Sequence, residues 1–201
     1  MSILTDGNLL PFRQYAPSDV LNMFALDGTG LCGQLVTIQI GSQNPADSAG
    51  SYANRAPNGF AVTNVGNYAY ANKRKVRVST ASDSRFNVIG ITLHTTALYD
   101  ENGNLLVNQP YEHTIERGFV QTGFTTPILT RGVVTLKLAQ INGTPFPGYA
   151  GVVGNAGTIT VVNPTTAGNL PFLATGNNVV GKFLSYSGSA FQGYAQFKLE
   201  L

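Results

Sequence analysis

The chain has 201 residues, enough to bury a sizeable core as one large β domain or two small ones. Charged residues make up 11% of it, under half of the roughly 25% usual in a soluble domain, so Asn, Thr, Ser, Gln and Gly must cover much of the surface. A net charge of +2 is too small to imply a nucleic-acid partner, one cysteine excludes an intrachain disulfide, and no run of about 18 apolar residues offers a membrane span.

Residues 1–30 read as an arm ahead of a β domain over residues 31–201. Gly7, Pro11, Pro17, Gly28 and Gly30 break the arm into short apolar fragments, and Ser18-Asp19 before Val20 predicts a cap on one or two helical turns. Leu9, Leu10, Phe12, Leu21, Met23 and Phe24 make it too apolar to stand free in water, so it is expected to dock on its own domain or on a neighbour. The first residues carry neither the basic nor the apolar region of an export signal, which predicts a soluble chain made in the cytoplasm and not exported.

From Gln34 to Ile40 the sequence predicts a strand, followed by a long Ser-, Asn- and Gly-rich loop over residues 41–59 and strands at Phe60–Val65 and Lys73–Val78. Val88–Leu93 reads as a central strand, with Gly90 marking a bulge or a close neighbour. Asp100-Glu101-Asn102-Gly103-Asn104 lies between apolar runs and predicts a hairpin turn. Strands follow at Ile115–Val120 and Pro127–Leu129, and over Arg131–Leu138 the apolar Val134, Leu136 and Leu138 are expected to face inward. Gly151–Val153, Thr158–Val162, Val179–Leu184 and Tyr194–Leu201 complete the set, the last with Ala195, Phe197, Leu199 and Leu201 on one face. No long window shows apolar residues at i, i+3, i+4 and i+7, so the expectation is an all-β fold, a single compact barrel or sandwich. Val88–Leu93 and Val179–Leu184 echo each other, too briefly to count as a repeat.

Gly28-Thr29-Gly30-Leu31-Cys32-Gly33 matches a dinucleotide-binding pattern, but a strand follows where a helix must present its N-terminus to pyrophosphate, so the stretch reads as a turn. Gly176–Phe183 has phosphate-loop spacing but puts Phe183 where a hydroxyl must meet Mg²⁺. His94 and His113 fit no metal-binding spacing, Asp100 and Glu101 sit on the expected hairpin tip, and Cys32 reads as a small buried apolar residue. Asn142-Gly143-Thr144 fits a glycosylation acceptor and, without an export signal, reads as a turn. Lys73, Arg74, Lys75 and Arg77 concentrate positive charge, with Tyr68 and Tyr70 upstream. The net charge disfavours single-stranded nucleic acid here, and the reading is a rim patch facing an acidic protein or solvent.

The apolar arm, the Gly-rich turns and the strands Val88–Leu93, Arg131–Leu138 and Val179–Leu201 together resemble the decoration or cement proteins of tailed-bacteriophage heads. The resemblance implies a non-enzymatic virion protein, without cofactor or metal, that binds the outside of the capsid and bridges capsomers. It implies the major capsid protein as partner, threefold self-association, and no nucleic acid or membrane. The arm would then be the clamp and Lys73, Arg74, Lys75 and Arg77 a contact patch. The rival expectation is a carbohydrate-binding or tail-fibre-like module that stacks sugars on Tyr52, Tyr149, Tyr186 and Tyr194; a third is an enzyme using His94 or His113.

Overall fold

In a computed structural model of the chain, residues 9–38, 74–97, 118–122, 124–166, 179–188 and 193–201 are described, and their regular structure is strands and short 3-10 turns. The first part of the chain supplies β1 (Leu9–Gln14), β2 (Val20–Leu21), β3 (Phe24–Leu26), β4 (Leu35–Ile38), β5 (Arg74–Val78), β6 (Val88–Thr92), β7 (Thr95–Ala97), β8 (Phe119–Gln121) and β9 (Ile128–Leu129). The second supplies β10 (Arg131–Lys137), β11 (Ile141–Asn142), β12 (Ala150–Val153), β13 (Ile159–Val162), β14 (Val179–Ser187) and β15 (Tyr194–Glu200). The all-β expectation holds. The alternation along β10 and β15 does what its period demands, since Val134, Leu136, Ala195, Phe197 and Leu199 are fully buried. Leu201, expected on the same inward row, is 37% exposed beyond the last pairing. No helix among the described residues is long and apolar enough to cross a membrane. The expected strand at Phe60–Val65, the long loop, the Asn102-Gly103 hairpin and His113 lie outside the described residues.

One sheet has the order β1-β10-β15-β14-β12-β13-β11 and a second the order β2-β9-β6-β4-β5-β3, while β7 and β8 form a short parallel pair. Leu21 and Phe24 end and begin the two edge strands of the second sheet, and three residues reach about 10 Å at full stretch. A flat six-stranded sheet would hold those edges about 24 Å apart, so this sheet curls until its edges approach. The same constraint acts between β10 and β11, separated only by the 3-10 turn Leu138–Gln140. Each sheet is therefore a barrel-like unit.

The two units repeat one another strand for strand. In chain order, β2, β3, β4, β5, β6 and β9 occupy the sheet positions that β10, β11, β12, β13, β14 and β15 occupy in the other unit. In both, the first strand pairs antiparallel with the last, the second runs parallel to the fourth, and the third pairs antiparallel with the fourth and fifth. The agreement extends to single hydrogen bonds. Gly33 N–H donates to the Thr92 carbonyl at 2.7 Å and Thr92 N–H to the Gln34 carbonyl at 3.0 Å; Gly148 N–H donates to the Phe183 carbonyl at 2.8 Å and Phe183 N–H to the Tyr149 carbonyl at 2.9 Å. Gly28 and Gly33 have φ of +88° and +89°, and their counterparts Gly143 and Gly148 have +104° and +86°. Just before Gly90 and again just before Gly181 the pairing with the third strand slips by one residue. A Cβ on either glycine would run into a carbonyl oxygen of the last strand, that of Leu129 or of Lys198. The echo between Val88–Leu93 and Val179–Leu184 is thus the trace of a real repeat, and Gly90 has both the bulge and the close neighbour its position suggested.

Leu26, Val36, Val76 and Ile128 line the first unit, and Ile141, Ile159, Phe183 and Phe197 the second. Equivalent sites exchange volume. The first unit places Val36 and Ile128 either side of Gly90, whereas the second places Gly151 and Phe197 either side of Gly181, and a Cβ on Gly151 would collide with the Phe197 ring. Leu35, Ile91 and Leu129 point outward from the first unit, are fully buried, and belong to the same apolar cluster as the second unit's interior. The outer wall of the first unit therefore packs onto the core of the second. The turn Asn155–Gly157 stitches the seam: Gly157 N–H donates to the Ser79 carbonyl at 2.8 Å, Gln34 Nε2 to the Ala156 carbonyl at 3.0 Å, and Ala81 N–H to Asn155 Oδ1 at 3.1 Å.

The N-terminal stretch, expected to dock on its own domain or on a neighbour, is woven into its own domain. β1 pairs antiparallel with β10 on the side away from β15, and Leu9 joins the second unit's core at 5% exposure. The expected helix reduces to one 3-10 turn, Pro17–Asp19, after which the chain turns into β2. Thr130 explains the stop: its N–H and Oγ1 both donate to the Asp19 carbonyl, at 2.8 and 2.9 Å, occupying the acceptor that a longer helix would use.

Candidate functional site

Repetition makes one surface stand out, the outer wall of the second unit. Its third, fifth and sixth strands place Ala150, Lys182 and Lys198 where the first unit has the fully buried Leu35, Ile91 and Leu129. Lys182 and Lys198 are directly opposite each other across β14 and β15, an arrangement in which like charges repel. Lys198 forms an ion pair with Glu200, and this hydrogen bond, with the nearby charges of Lys182 and Arg131, holds the Glu200 carboxyl below its usual range. Arg131 pairs with Glu200 across β10, and Leu184, two residues beyond Lys182, is 39% exposed. The wall is thus cationic, with an apolar spot beside its lysines.

A second surface lies where β12 begins and β14 ends. Phe146, 46% exposed, meets Tyr149 edge-on with ring centroids 5.3 Å apart and Tyr186 at 6.0 Å. Tyr149 is half-buried against the core, and Tyr194, 38% exposed, sits opposite Ser187 while Tyr186 sits opposite Ala195, which puts the two tyrosines on opposite faces of the sheet. Of the four tyrosines expected to stack sugars, Tyr149 and Tyr186 are brought together, Tyr194 is not, and Tyr52 lies outside the described residues.

Of the charge patch expected along β5, Arg77 is the one side chain among the described residues. Arg77 turns to Asp83, donating from Nη2 at 2.5 Å and Nη1 at 2.9 Å. Asp83 also accepts from Thr80 N–H at 2.7 Å and Thr37 Oγ1 at 3.3 Å. Burial alone would raise the Asp83 carboxyl; the hydrogen bonds from Arg77 and Thr80 and the Arg77 charge outweigh it and hold the group below the ordinary carboxylate range. Lys73 and the side chains of Arg74 and Lys75 lie outside the described residues. The arm's expected contact residues scatter as well. Phe24 is in the core at 5% exposure, which takes it out of any clamp, and half-buried Leu21 packs against that core; Met23 is 56% exposed, and the side chains of Leu10 and Phe12 lie outside the described residues.

Cys32 is buried, its N–H donating to Thr95 Oγ1 at 3.1 Å, and Gly28–Gly33 leads into β4, as a turn should. Among the described residues, no three His, Cys, Asp or Glu side chains gather into a metal-binding group. His94 is mostly buried, and its Nδ1 has no hydrogen-bond partner among the described residues. Burial first, and then the charge of Arg13, lower its pKa from the ordinary imidazole value of 6.5, while a backbone contact with Gly118 acts the other way. Because the folded state binds its proton less readily than the unfolded state, folding stability is full above about pH 6.5 and falls as the pH drops below it. His94→Gln is expected to shrink the fall in melting temperature between about pH 7.5 and about pH 5.5, relative to the parent chain. An unchanged pH dependence would show that His94 titrates as it does in the unfolded chain.

The repeat is the feature that residue-by-residue reading missed, and its signal was present. Asp27-Gly28-Thr29 with Gly33, and Asn142-Gly143-Thr144 with Gly148, are the same turn at the same spacing, met once as a dinucleotide pattern and once as a glycosylation acceptor. No protein-family model and no curated protein matches the chain.

Proposed function

We propose that the chain is a non-enzymatic structural protein of a bacteriophage particle, bound to the capsid exterior, where it stabilises the shell by bridging capsomers. The major capsid protein is its partner, and threefold self-association is its proposed assembly. The observation that supports this reading best is where the polar side chains go. Asp83 gathers Arg77, Thr80 and Thr37 into one knot, Gln34 and Gln140 tie the Asn155–Gly157 turn, and Arg85 Nη2 reaches the Glu200 carbonyl at 3.3 Å. The Asp83 knot braces the first unit, and the Gln34 and Arg85 bonds tie the two units together; none of these groups converges on a reacting atom, which suits a rigid binding body. Fractionation of a phage lysate on a density gradient tests it. The chain should sediment with intact heads at a fixed ratio to the shell subunit, and a chain that stays with free protein while the heads sediment bare would overturn the reading.

The Phe146, Tyr149 and Tyr186 cluster supports a second reading, a carbohydrate-binding or tail-fibre-like module that stacks sugar rings. Glycan binding that disappears in Phe146→Ala and Tyr186→Ala, with no affinity for heads, would favour it.

A further inference from the structure

We infer that the outer wall of the second unit, centred on Lys182, Lys198 and Leu184, is a docking surface for an acidic protein face. The inference deepens the capsid-binding reading and rests on it for the partner's identity, but not for the partner's chemistry. Its first support is internal. The same wall of the first unit is already an interface, with Leu35, Ile91 and Leu129 sealed against the second unit's core. In the second unit the corresponding positions are Ala150, Lys182 and Lys198, so the three large apolar side chains that seal the first wall are gone, and the shape is kept with a changed chemistry. The second support is electrostatic. Lys182 and Lys198 face each other across paired strands with Arg131 nearby, and the carboxylate beside them among the described residues, Glu200, forms its ion pair with Lys198. A wall built that way costs the isolated chain stability and recovers it when partner carboxylates approach.

The occupant follows from the same residues. Exposed Leu184 fits an apolar spot on a protein better than a phosphate backbone, and Glu200 would repel a polyanion that tracked along the strands. A second copy is a poor match, since the chain has only ten carboxylate side chains in 201 residues and spends Asp83 on Arg77.

The experiment compares the full chain with Lys182→Glu/Lys198→Glu and Lys182→Gln/Lys198→Gln. Melting should be unchanged or slightly raised in the glutamine variant, because a repulsion is removed. Binding to purified heads, measured by co-sedimentation, should weaken as salt rises from about 0.05 to about 0.5 M. It should weaken several-fold in the glutamine variant and by about tenfold or more in the glutamate variant. A folded glutamate variant that binds heads like the parent overturns the wall and leaves the capsid reading standing. If the parent itself ignores heads, the capsid reading falls and the wall is read separately, by NMR titration with a polyglutamate peptide. Shifts confined to residues around Lys182, Leu184 and Lys198 then support it, and shifts absent or spread over all the lysines overturn it. Two other results also overturn the choice of occupant: retardation of single-stranded RNA or DNA that is lost in the glutamate variant, or self-association that is lost in it.

Discussion

Gly181→Ala is expected to destabilise the protein by about 3 kcal/mol or more, the upper end of overpacking costs, because the added methyl meets a backbone carbonyl and cannot be accommodated by a rotamer change. The carbonyl is that of Lys198, fixed by the pairing of β14 with β15, and the Phe197 ring lies over the same spot, 2.7 Å from where the methyl would be. At about 2 to 4 °C per kcal/mol for a chain of this size, the melting temperature should drop by about 6 to 12 °C. Gly90→Ala should behave alike, since Leu129 stands to Gly90 as Lys198 stands to Gly181. Gly148→Ala is the control. It has φ of +86° but open space around it, so only the left-handed backbone is penalised, by about 1 to 2 kcal/mol. Thermal melts of the three variants decide the matter. Equal losses at Gly148 and Gly181 would mean that the close approach, and with it the matched bulge in the two units, is not what holds these glycines in place.

Deleting residues 1–16 is expected to lower the stability of the isolated chain by about 3 kcal/mol or more and to promote aggregation. The deletion takes Leu9 out of the core, where an apolar side chain of that size contributes about 1.5 to 3 kcal/mol. It also strips β1 from β10, leaving Val133, Val134 and Leu136 on a strand with an open edge, and open edges recruit other chains. Leu9→Ala isolates the packing part and should cost about 2 to 5 kcal/mol, less if the site collapses. An arm reserved for a neighbouring molecule gives the opposite result, an isolated deletion variant that melts like the parent. That outcome would show that β1 pairs with β10 only in an assembly.

The proposed docking surface lies on the second unit's wall, away from the Lys73–Arg77 run and the N-terminal arm that stand out in the linear sequence. The Lys73–Arg77 run was visible because charges adjacent in sequence are easily seen. Lys182 and Lys198 are sixteen residues apart, and only the pairing of β14 with β15 sets them opposite one another. The arm looked like a clamp because Leu9, Leu21 and Phe24 are apolar and precede the first long predicted strand. They are apolar because two different cores receive them.

What the sequence determined by itself is whatever depends on a residue and its near neighbours. The period-two runs at Arg131–Lys137 and Tyr194–Glu200 set which residues face inward, and the Gly-rich turns and missing helical period determined an all-β chain. The pairings were decided only in three dimensions, because β1 must find β10 across more than a hundred residues, and no local pattern encodes a partner at that distance. In β4 the alternation fails altogether. Leu35 and Val36 are adjacent and both fully buried, one against the second unit and one inside the first, so both faces demand apolar residues. The fate of equivalent walls was likewise a tertiary decision. Ile91 and Lys182 hold the same place in the same motif, and one is sealed while the other meets solvent, because only the first unit's wall has another unit's core packed against it.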